Sequence, residues 1–263
     1  AVILAAGKGT RMASCKPKAL QMLAGRTLIE HILKTLDNIS IDAVLIIHSP
    51  EAKNDFEEEL RDHENITYVE QKEALGTAQA LKTALPYVST DNLLVLLGDV
   101  PLLSELTLTR LKEELQKNHI AVLTGTVNDP DGYGRIHKDN NGIPIAIIEE
   151  IDCDDEQRKI KEINSGIMAF NTNIAKNLVE KIELNPKKNE YYLTDAIEIA
   201  YHEDIRAITY STSEEEVFGV NSKRDLAEAE KIKRKNIADD LMENGVTIVD
   251  PSRIDVRGTL TVG

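Results

Sequence analysis

The sequence contains few of the residues on which several classes of protein depend. Two cysteines among 263 residues, Cys15 and Cys153, supply neither a disulfide framework nor a cluster of metal ligands. We expect a reducing, cytoplasmic location for such a chain. No apolar run approaches the roughly 20 residues of a membrane span, and the apolar opening at residues 1–6 is too short for a signal peptide. Because the chain begins with Ala1 rather than Met, we expect a few residues to precede it.

Positive charge is also scarce, except near the amino terminus. Lys and Arg number 31 against 45 Asp and Glu, so the formal net charge is −14. This balance argues against broad binding to nucleic acid or to anionic membranes, and we expect neither as a partner. Residues 1–29, however, contain no acidic side chain and carry five cations: Lys8, Arg11, Lys16, Lys18 and Arg26. An acid-free basic segment in an acidic chain indicates a small anionic ligand.

Short apolar runs alternate with helical patterns along most of the chain. This alternation is typical of βαβ units, so the predicted fold is α/β with a Rossmann-like, mostly parallel sheet. A hydrophobic fraction of 41% is enough for its core. The predicted strands are residues 2–5, 43–48, 66–69, 93–97, 120–127, 143–148, 166–170 and 205–210. The predicted helices are residues 28–36, 76–85, 106–115, 190–201 and 222–242.

The character of the chain changes twice along its length. Residues 128–142 are rich in Asp, Asn and Gly, which indicates turns, and we expect the insertions after them to form a substrate-recognition lobe. The long charged helix from residue 222 is expected to end near Gly245. Beyond it, short β pieces broken by Pro251 and Gly258 are too few to form a core alone. The predicted divisions are therefore residues 1–221, 222–245 and 246–263.

A glycine-containing turn follows the first predicted strand. Its sequence is Leu4-Ala5-Ala6-Gly7-Lys8-Gly9-Thr10-Arg11-Met12. Small residues allow the backbone to approach a ligand, and successive N–H groups can converge on phosphate oxygens. Lys8, Arg11 and Lys18 could neutralise a triphosphate, and Pro17 stiffens the chain before Lys18. The turn is therefore predicted to bind phosphate.

Three other glycine motifs do not match this turn. A dinucleotide fingerprint needs a third glycine where Met12 stands. A P-loop needs four residues between its glycines, followed by Lys and then Ser or Thr. The Gly-x-Ser-x-Gly motif of a nucleophilic serine does not occur in the sequence. A different kind of phosphate site is indicated, with an ordinary βα turn as the alternative.

A carboxylate is predicted at the end of the strand at residues 93–97. This strand runs into Gly98-Asp99-Val100-Pro101, and open parallel sheets bind ligands beyond the carboxyl ends of their strands. A lone carboxylate there suits Mg²⁺, which takes one or two protein ligands and completes its shell with phosphate oxygens and water. The alternative role of Asp99 is to cap the next helix.

Taken in series, these motifs resemble those of the bacterial N-acetylglucosamine-1-phosphate uridylyltransferases, in the nucleotide-sugar pyrophosphorylase family. The resemblance covers nearly the whole chain. Besides the glycine turn and Pro17-Lys18, the matching motifs are Gln71, Leu75-Gly76-Thr77, Gly98-Asp99-Val100-Pro101, Gly132-Tyr133-Gly134-Arg135, Glu149, Ile163-Asn164-Ser165-Gly166, Glu190-Tyr191-Tyr192-Leu193-Thr194-Asp195, Gly219-Val220-Asn221, Asp250-Pro251 and Arg257-Gly258-Thr259-Leu260. The resemblance implies a nucleotidyltransferase that uses Mg²⁺ to make UDP-N-acetylglucosamine and pyrophosphate from UTP and N-acetylglucosamine 1-phosphate, for cell-wall precursors.

The resemblance also implies roles for individual residues. Arg11 and Lys18 would be catalytic, because they would hold the triphosphate and stabilise charge at the reacting phosphorus. Asp99 and Asn221 would be the Mg²⁺ ligands. Gln71 offers a donor and an acceptor to a uracil edge. The nucleotide pocket would be formed by Leu4, Ala5, Ala6, Gly7, Lys18, Gln71, Gly76 and Thr77. The sugar phosphate would be bound by Gly134, Glu149, Asn164 and Thr194.

Three positions depart from the common pattern of the family, and they concern the choice of sugar. Ile151 stands where a lysine often occurs, Ala78-Gln79 replace Gly-His after Gly-Thr, and Leu97 replaces an aromatic residue before Gly98-Asp99. A related pyrophosphorylase with another nucleotide or sugar is therefore the main alternative. A nicotinamide dehydrogenase and a non-catalytic sugar-nucleotide sensor are the others.

The last part of the chain carries a further expectation. In this family a long helix leads into a left-handed β-helix that trimerises and carries an acetyl-CoA-dependent acetyltransferase. Residues 222–242 resemble that helix, and residues from Val246 onward resemble the first turns of the β-helix. The resemblance therefore implies the uridylyltransferase part of a bifunctional enzyme, without the acetylation site, and a homotrimer when the β-helix is complete.

Overall fold

The computed structural model describes residues 1–7, 9–12, 14, 16–258 and 260. The strands in this part of the chain are β1 (Val2–Leu4), β2 (Met22–Leu23), β3 (Arg26–Thr27), β4 (Val44–His48), β5 (Ile66–Glu70), β6 (Asn92–Leu97), β7 (Ile120–Thr126), β8 (Arg135–Lys138), β9 (Pro144–Ile148), β10 (Glu162–Asn171) and β11 (Ala207–Thr212). The helices are α1 (Leu28–Asp37), α2 (Lys53–Glu59), α3 (Thr77–Ala84), α4 (Glu105–Leu115), α5 (Thr172–Val179), α6 (Asp195–His202) and α7 (Lys223–Glu243).

One sheet forms the centre of the molecule. Its strands follow the order β11-β7-β10-β6-β1-β4-β5, and β8 and β9 extend it beside β10. β1 pairs in parallel with β4 and β6, β4 with β5, and β11 with β7. β10 runs antiparallel to both of its long neighbours, β6 and β7. The predicted α/β class and mostly parallel sheet are confirmed.

The strand order reverses at β1. The chain passes from β1 through α1 to β4 and through α2 to β5, whereas α3 returns it to β6 on the other side of β1. Such a reversal opens a crevice at the carboxyl ends of the strands, where open α/β sheets bind ligands. The N–H of Gly98 donates to Leu4 O at 3.0 Å. The segments that follow β1 and β6 therefore lie side by side in this crevice.

Helices cover both faces of the sheet, which explains the continuous apolar runs of its strands. Along β1, Val2 faces the core formed with α3, α5 and α6, whereas Ile3 faces the core formed with α1, α2 and α4. α1 begins at a capping box, in which Thr27 and Glu30 each bond to the backbone of the other. The helix buries the face that its apolar spacing predicts.

The helix expected over residues 190–201 begins later than predicted. It is α6, which starts at Asp195. The residues before it use their backbone groups elsewhere: the N–H of Tyr191 donates to Leu75 O at 2.8 Å, and its carbonyl accepts from Ala78 N at 3.0 Å. These bonds hold the segment against the start of α3 in place of a helical turn.

Other elements are longer than predicted or are missed by the sequence analysis. β10 begins at Glu162, four residues before the predicted Gly166, because polar residues such as Asn164 and Ser165 conceal the strand pattern. β8 lies inside the stretch at residues 128–142, whose composition indicates turns. α2 and α5 are short, with fewer than three turns each, and give little helical periodicity.

α7 confirms the long charged helix, with Ser222 as its N-cap. The strands expected after it are not found among residues 246–258, where the described chain forms only a 3₁₀ turn at Pro251–Arg253. A strand needs a neighbouring strand for its hydrogen bonds, and this segment instead meets the turn between β2 and β3, where Gly258 N donates to Ala24 O at 3.3 Å. None of the described helices combines the length and the apolar character needed to cross a membrane.

Candidate active site

Two adjoining cavities lie at the carboxyl ends of β1 and β6. The first cavity has a volume of about 660 Å³ and the second about 470 Å³. They meet at Leu4, Thr77, Leu97, Asp99 and Glu149, which line both. The first cavity is lined by all the predicted nucleotide-binding residues, Leu4, Ala5, Ala6, Gly7, Lys18, Gln71, Gly76 and Thr77. The second is lined by the predicted sugar-binding residues, Gly134, Glu149, Asn164 and Thr194, together with Arg11, Asp99 and Asn221.

The glycine turn leaves β1 and folds back toward Lys18. Gly9 has a φ of +54°, and a Cβ atom on it would lie 3.0 Å from the Cβ of Lys18, so this approach favours glycine. Lys18 begins a short 3₁₀ helix directly after Pro17. Arg11 is exposed on another 3₁₀ turn, Thr10–Met12. Lys8, which the sequence analysis includes among the phosphate-binding cations, lies outside the described residues, as does Cys15.

Four polar side chains meet where the cavities join. The ammonium of Lys18 donates to the carboxylate of Asp99 and, at 3.0 Å, to Oδ1 of Asn221. The guanidinium of Arg11 donates to the same Asn221 oxygen at 3.2 Å. The side chains of Lys18 and Asp99 are only 19% and 14% exposed, so solvent screens this ion pair less than a pair on the open surface.

Backbone contacts hold Asp99 and Asn221 opposite Lys18. The N–H of Val220 donates to Asp99 O at 2.8 Å. The N–H of Asn221 donates to Oδ2 of Asp225 at 2.9 Å. Asp225 lies in the first turn of α7 and also donates its own N–H to the capping side chain of Ser222. The start of the long helix therefore positions Asn221 in the cleft.

The oxygens of Asp99 and Asn221 suit a hard divalent cation. Both oxygens accept a hydrogen bond from the single ammonium of Lys18, so they converge on a position where a positive charge is stabilised. The described residues contain no cluster of three or more His, Cys, Asp or Glu side chains that could hold a metal ion. Two protein oxygens, completed by phosphate and water, are a ligand set that Mg²⁺ accepts. Lys18 would have to leave the two oxygens when such an ion binds.

Gln71 and the loop after it form another wall of the first cavity. Gln71 is buried, and its N–H donates to His48 O at 2.8 Å, which continues the pairing of β4 with β5. Gly76 precedes α3 with a φ of +99°. A Cβ atom on Gly76 would lie 2.5 Å from Tyr191 O. Only glycine therefore fits between the cavity and the segment before α6.

Substitution of Gly76 by alanine should destabilise the protein more than substitution of Gly142. Both glycines have a positive φ, +99° and +81°, but a Cβ on Gly142 meets nothing within 4 Å. We expect Gly142→Ala to lower the free energy of unfolding by about 1 kcal/mol, the cost of left-handed backbone. Gly76→Ala adds a collision with the backbone of Tyr191 and should cost on the order of 3 kcal/mol. Urea unfolding measures both values, and equal losses would contradict the collision.

The second cavity is lined by side chains that hold one another. The hydroxyl of Thr194 donates to Oε1 of Glu149 at 2.9 Å. The N–H of Asn164 donates to Gly134 O at 2.8 Å, and its Oδ1 accepts from Gly166 N at 3.0 Å. Burial raises the pKa of Glu149, and the bond from Thr194 opposes that shift. A carboxylate, an amide and a hydroxyl around a cavity can bind the hydroxyl and amide groups of a sugar.

The three departures from the family pattern lie in different places. Leu97 lines both cavities and contacts Gly166, whose φ of +78° and lack of a side chain make room for it. Gln79 accepts a hydrogen bond from Gln71. Ile151 is 44% exposed and lines neither cavity. Leu97 and Gln79 therefore act on the cleft directly or through one neighbour.

The ion pair of Arg135 and Glu150, which no sequence motif predicts, supports one wall of the second cavity. Arg135 is fully buried and donates to Oε2 of Glu150 at 2.6 Å and to Tyr133 O. Glu150 also accepts from Gly132 N at 3.2 Å. The pair thus holds the turn that carries Gly134. The arginine after two glycines is a visible sequence signal, but its acidic partner is one of several nearby candidates that only the structure separates.

Asp195 gives a prediction about pH and stability. Burial and, after it, the charge of Glu149 raise the pKa of Asp195 from 3.8 to about 6. Because the folded state then holds the proton more tightly than the unfolded state, stability should fall as the pH rises from about 4 to 6. Asp195→Asn should remove this loss and raise the free energy of unfolding at neutral pH by about 1 kcal/mol, after allowance for solvent screening.

Urea unfolding near pH 4 and near pH 8 measures this difference. The two proteins should be almost equally stable at the lower pH. Glu183→Gln is the control, because Glu183 is an exposed acid beyond α5, and it should change little at either pH. A gain from Asp195→Asn of the same size at both values would show that titration is not its cause.

The fold and the cleft define a nucleotidyltransferase, and comparison with known proteins agrees. The model of the MobA-like NTP transferase domain family matches residues 1–142, more than half of the chain. The chain belongs to this family of nucleotidyltransferases.

Particular relatives cover the whole chain. The bifunctional protein GlmU of Francisella tularensis subsp. novicida (strain U112) is 42% identical over 263 residues, which are 100% of this chain and 57% of that protein. GlmU of F. tularensis subsp. holarctica (strain OSU18) matches with the same identity and coverage. The chain thus spans little more than half the length of these curated relatives. A Bacillus anthracis structure assigned as a glucose-1-phosphate thymidylyltransferase shares the fold, with a TM-score of 0.71 and 22% identity over 95% of this chain and 97% of that chain.

Proposed function

We propose that this chain transfers a uridylyl group from UTP to N-acetylglucosamine 1-phosphate and releases pyrophosphate. The observation that carries the proposal is the meeting of Lys18, Arg11, Asp99 and Asn221 where the two cavities join. A triphosphate in the first cavity and a sugar phosphate in the second would bring their reacting groups together at this junction. The motifs shared with N-acetylglucosamine-1-phosphate uridylyltransferases support this choice of substrates.

The reaction needs no nucleophilic side chain. An oxygen of the sugar phosphate, already anionic at neutral pH, attacks the α-phosphorus of UTP. The new phosphorus–oxygen bond forms as the bond to the β-phosphate oxygen breaks, and pyrophosphate leaves with that electron pair. The work of the protein is to hold the two phosphates in line and to stabilise the charge that develops. Arg11 and Lys18 are the catalytic residues for this purpose.

Asp99 and Asn221 would hold the Mg²⁺ ion that we propose as cofactor. When bound, Mg²⁺ supplies positive charge to the triphosphate oxygens. With the ion in place, the ammonium of Lys18 would donate to phosphate oxygens instead of to Asp99 and Asn221, and Arg11 lies beside it at the edge of the second cavity. The Lys18 stem passes close to Gly9, so the turn itself limits where the ammonium can move.

The two cavities divide the remaining recognition between them. In the first, Leu4, Ala5, Ala6 and Gly7 would present backbone groups to the nucleotide, and the base would meet its other wall, Gln71, Gly76 and Thr77. In the second, Glu149 and Thr194 already bond to each other and would receive the sugar together with Gly134 and Asn164. Buried polar groups of this kind select a substrate that satisfies them.

A coupled assay of pyrophosphate release tests the proposal. UTP, dTTP, CTP, ATP and GTP are each combined with N-acetylglucosamine 1-phosphate, glucosamine 1-phosphate and glucose 1-phosphate in the presence of Mg²⁺. We expect the highest kcat/KM for UTP with N-acetylglucosamine 1-phosphate. A different best pair would favour a related pyrophosphorylase, to which the departures at Leu97 and Gln79 point as the second candidate. No release with any pair would refute enzymatic transfer and favour a sugar-nucleotide sensor.

The properties of the whole protein are part of the same proposal. We infer that residues 222–245 are a linker helix and that residues 246–263 begin a left-handed β-helix, which in its complete form would trimerise and carry the acetyltransferase. The product would enter cell-wall precursor synthesis in the cytoplasm. The mass of a protein that includes the complete β-helix, measured by light scattering, tests the trimer. A monomeric mass would contradict it.

A further inference from the structure

Gln79 is a residue of α3 that lies behind Gln71, and it does not line the first cavity. Its side-chain oxygen accepts from Nε2 of Gln71, and its Nε2 donates to Oγ1 of Thr83 at 3.2 Å. The hydroxyl of Thr83 donates to the backbone oxygen of Gln79 at 2.9 Å. Nε2 of Gln71 also donates to Gly76 O at 3.3 Å. These residues form one hydrogen-bonded chain from α3 to the wall of the cavity.

The donor and acceptor roles of Thr83, Gln79 and Gln71 in this series of hydrogen bonds follow from one another. A hydroxyl carries one hydrogen, and that of Thr83 is directed at a backbone oxygen, which cannot donate. Oγ1 of Thr83 can therefore only accept from Gln79, so the NH₂ of Gln79 faces it. The oxygen of Gln79 then faces Gln71, which must present its own NH₂. The backbone oxygen of Gly76 makes the same demand on Gln71 independently.

Both amide hydrogens of Gln71 are thus used within the protein. Gln71 is 5% exposed and lines the first cavity, so the polar atom that it offers a ligand is Oε1, an acceptor only. We propose that Gln79, held by Thr83, is a positioning residue that makes Gln71 an acceptor and thereby sets the base preference of the nucleotide site. The inference rests on the proposed function, in so far as the first cavity must bind a nucleoside triphosphate.

An acceptor at this position discriminates between bases by the ring nitrogen at their pairing edge. Uracil carries a hydrogen on N3 and can donate to Oε1 of Gln71. A cytosine in the same position carries a lone pair on N3, which would oppose that oxygen and leave both acceptors without a hydrogen. Its neighbouring amino group could reach Oε1 only if the base moved from the position that uracil takes. Buried polar groups without a partner reject a ligand more strongly than a misfit in an apolar pocket does. If the amide of Gln71 could turn over, it would offer a donor, and the preference would weaken.

Calorimetric binding of UTP and of CTP, in the presence of Mg²⁺ and without a sugar phosphate, tests the proposal. The native protein should bind UTP roughly 10²-fold more tightly than CTP. Gln79→Leu removes the acceptor that holds the NH₂ of Gln71 and should lower this ratio roughly tenfold, mainly through weaker binding of UTP. Gln79→Glu keeps an oxygen acceptor toward Gln71 and should retain the native ratio.

A second pair of variants tests the same series of hydrogen bonds at Thr83, the partner of Gln79 on the side away from Gln71. Thr83→Val removes the acceptor that orients Gln79 and should also lower the ratio, whereas Thr83→Ser keeps the hydroxyl and should not. The KM of the sugar phosphate should remain native in all four variants, because neither Gln79 nor Thr83 lines the second cavity. A raised KM would instead indicate a general distortion of the cleft. A native ratio in both Gln79→Leu and Thr83→Val, or no preference for UTP in the native protein, would overturn the inference.

Measuring nucleotide binding and uridylyl transfer separately distinguishes a failure of this inference from a failure of the proposed function. A protein that binds UTP in preference to CTP but releases no pyrophosphate would refute the transferase proposal and leave the base preference standing. A protein that transfers uridylyl groups with the same base preference in all variants would do the reverse.

Discussion

Replacement of Lys18 by alanine should lower the turnover number by ~10²-fold or more. Its ammonium already lies within hydrogen-bonding distance of the two oxygens at the junction of the cavities, where the triphosphate would bind. A charge that stabilises the transition state in a partly buried site is typically worth about 3–4 kcal/mol of barrier. The loss should appear in kcat as well as in kcat/KM, because in the proposed reaction a contact between Lys18 and the departing pyrophosphate would strengthen as the reaction proceeds.

Lys16→Ala is the matched control for this experiment. Lys16 belongs to the same basic segment, but its side chain is 60% exposed and pairs with Glu59 at 3.2 Å, away from both cavities. An exposed pair of this kind contributes little, so turnover should stay within about twofold of the native value. A native turnover number for Lys18→Ala, measured with saturating UTP and sugar phosphate, would refute the assignment of Lys18 as catalytic.

Replacement of Asp99 by alanine should reduce turnover by roughly 10²–10³-fold and raise the Mg²⁺ concentration needed for half-maximal activity. Asp99 is the charged member of the proposed ligand pair, and Asn221 alone offers the ion a neutral oxygen. The change also removes the carboxylate that faces the ammonium of Lys18. Initial rates over a titration of Mg²⁺ measure both effects, and a native Mg²⁺ dependence would show that Asp99 does not hold the ion.

The control for Asp99 lies at the other end of the same strand. Asp91 is exposed and directly precedes β6, whereas Asp99 follows it at the cleft. Asp91→Ala should leave turnover and Mg²⁺ dependence native. Similar losses in the two variants would indicate damage to β6 itself rather than the removal of a ligand.

The regular elements were predicted where their apolar spacing is uninterrupted. β1, β4, β6 and β7 agree with the predicted strands to within about two residues at each end, and α1 and α4 agree equally well. The predictions weaken where polar residues serve the cleft. β10 passes through Asn164 and Ser165, and the segment before α6 is held by Leu75 and Ala78 rather than by its own helical bonds.

Some residues of the candidate site can be recognised from the sequence around them, and others cannot. Lys18 and Arg11 stand out in the sequence because no acid lies near them, and Asp99 stands out because it follows a buried strand. Asn221 carries no such local signal, since a single asparagine before a helix is ordinary, and only its resemblance to a family motif singled it out. In the sequence, Gln79 is visible only as a departure from the family pattern, and nothing there indicates what its side chain contacts.

By itself, the sequence predicted most of the strands and helices in their order and pointed to the family of the chain, and it predicts that the first turn binds phosphate. Periodicity and the absence of acids are local properties, and they survive in one dimension. Only the tertiary structure decided that Asn221 and Asp99 meet at Lys18, that Glu150 bonds to the turn before Gly134, and that Gln79 accepts a hydrogen bond from Gln71. Hydrogen bonds and ion pairs depend on distance and direction in space, and folding brings most of these partners together from distant parts of the chain.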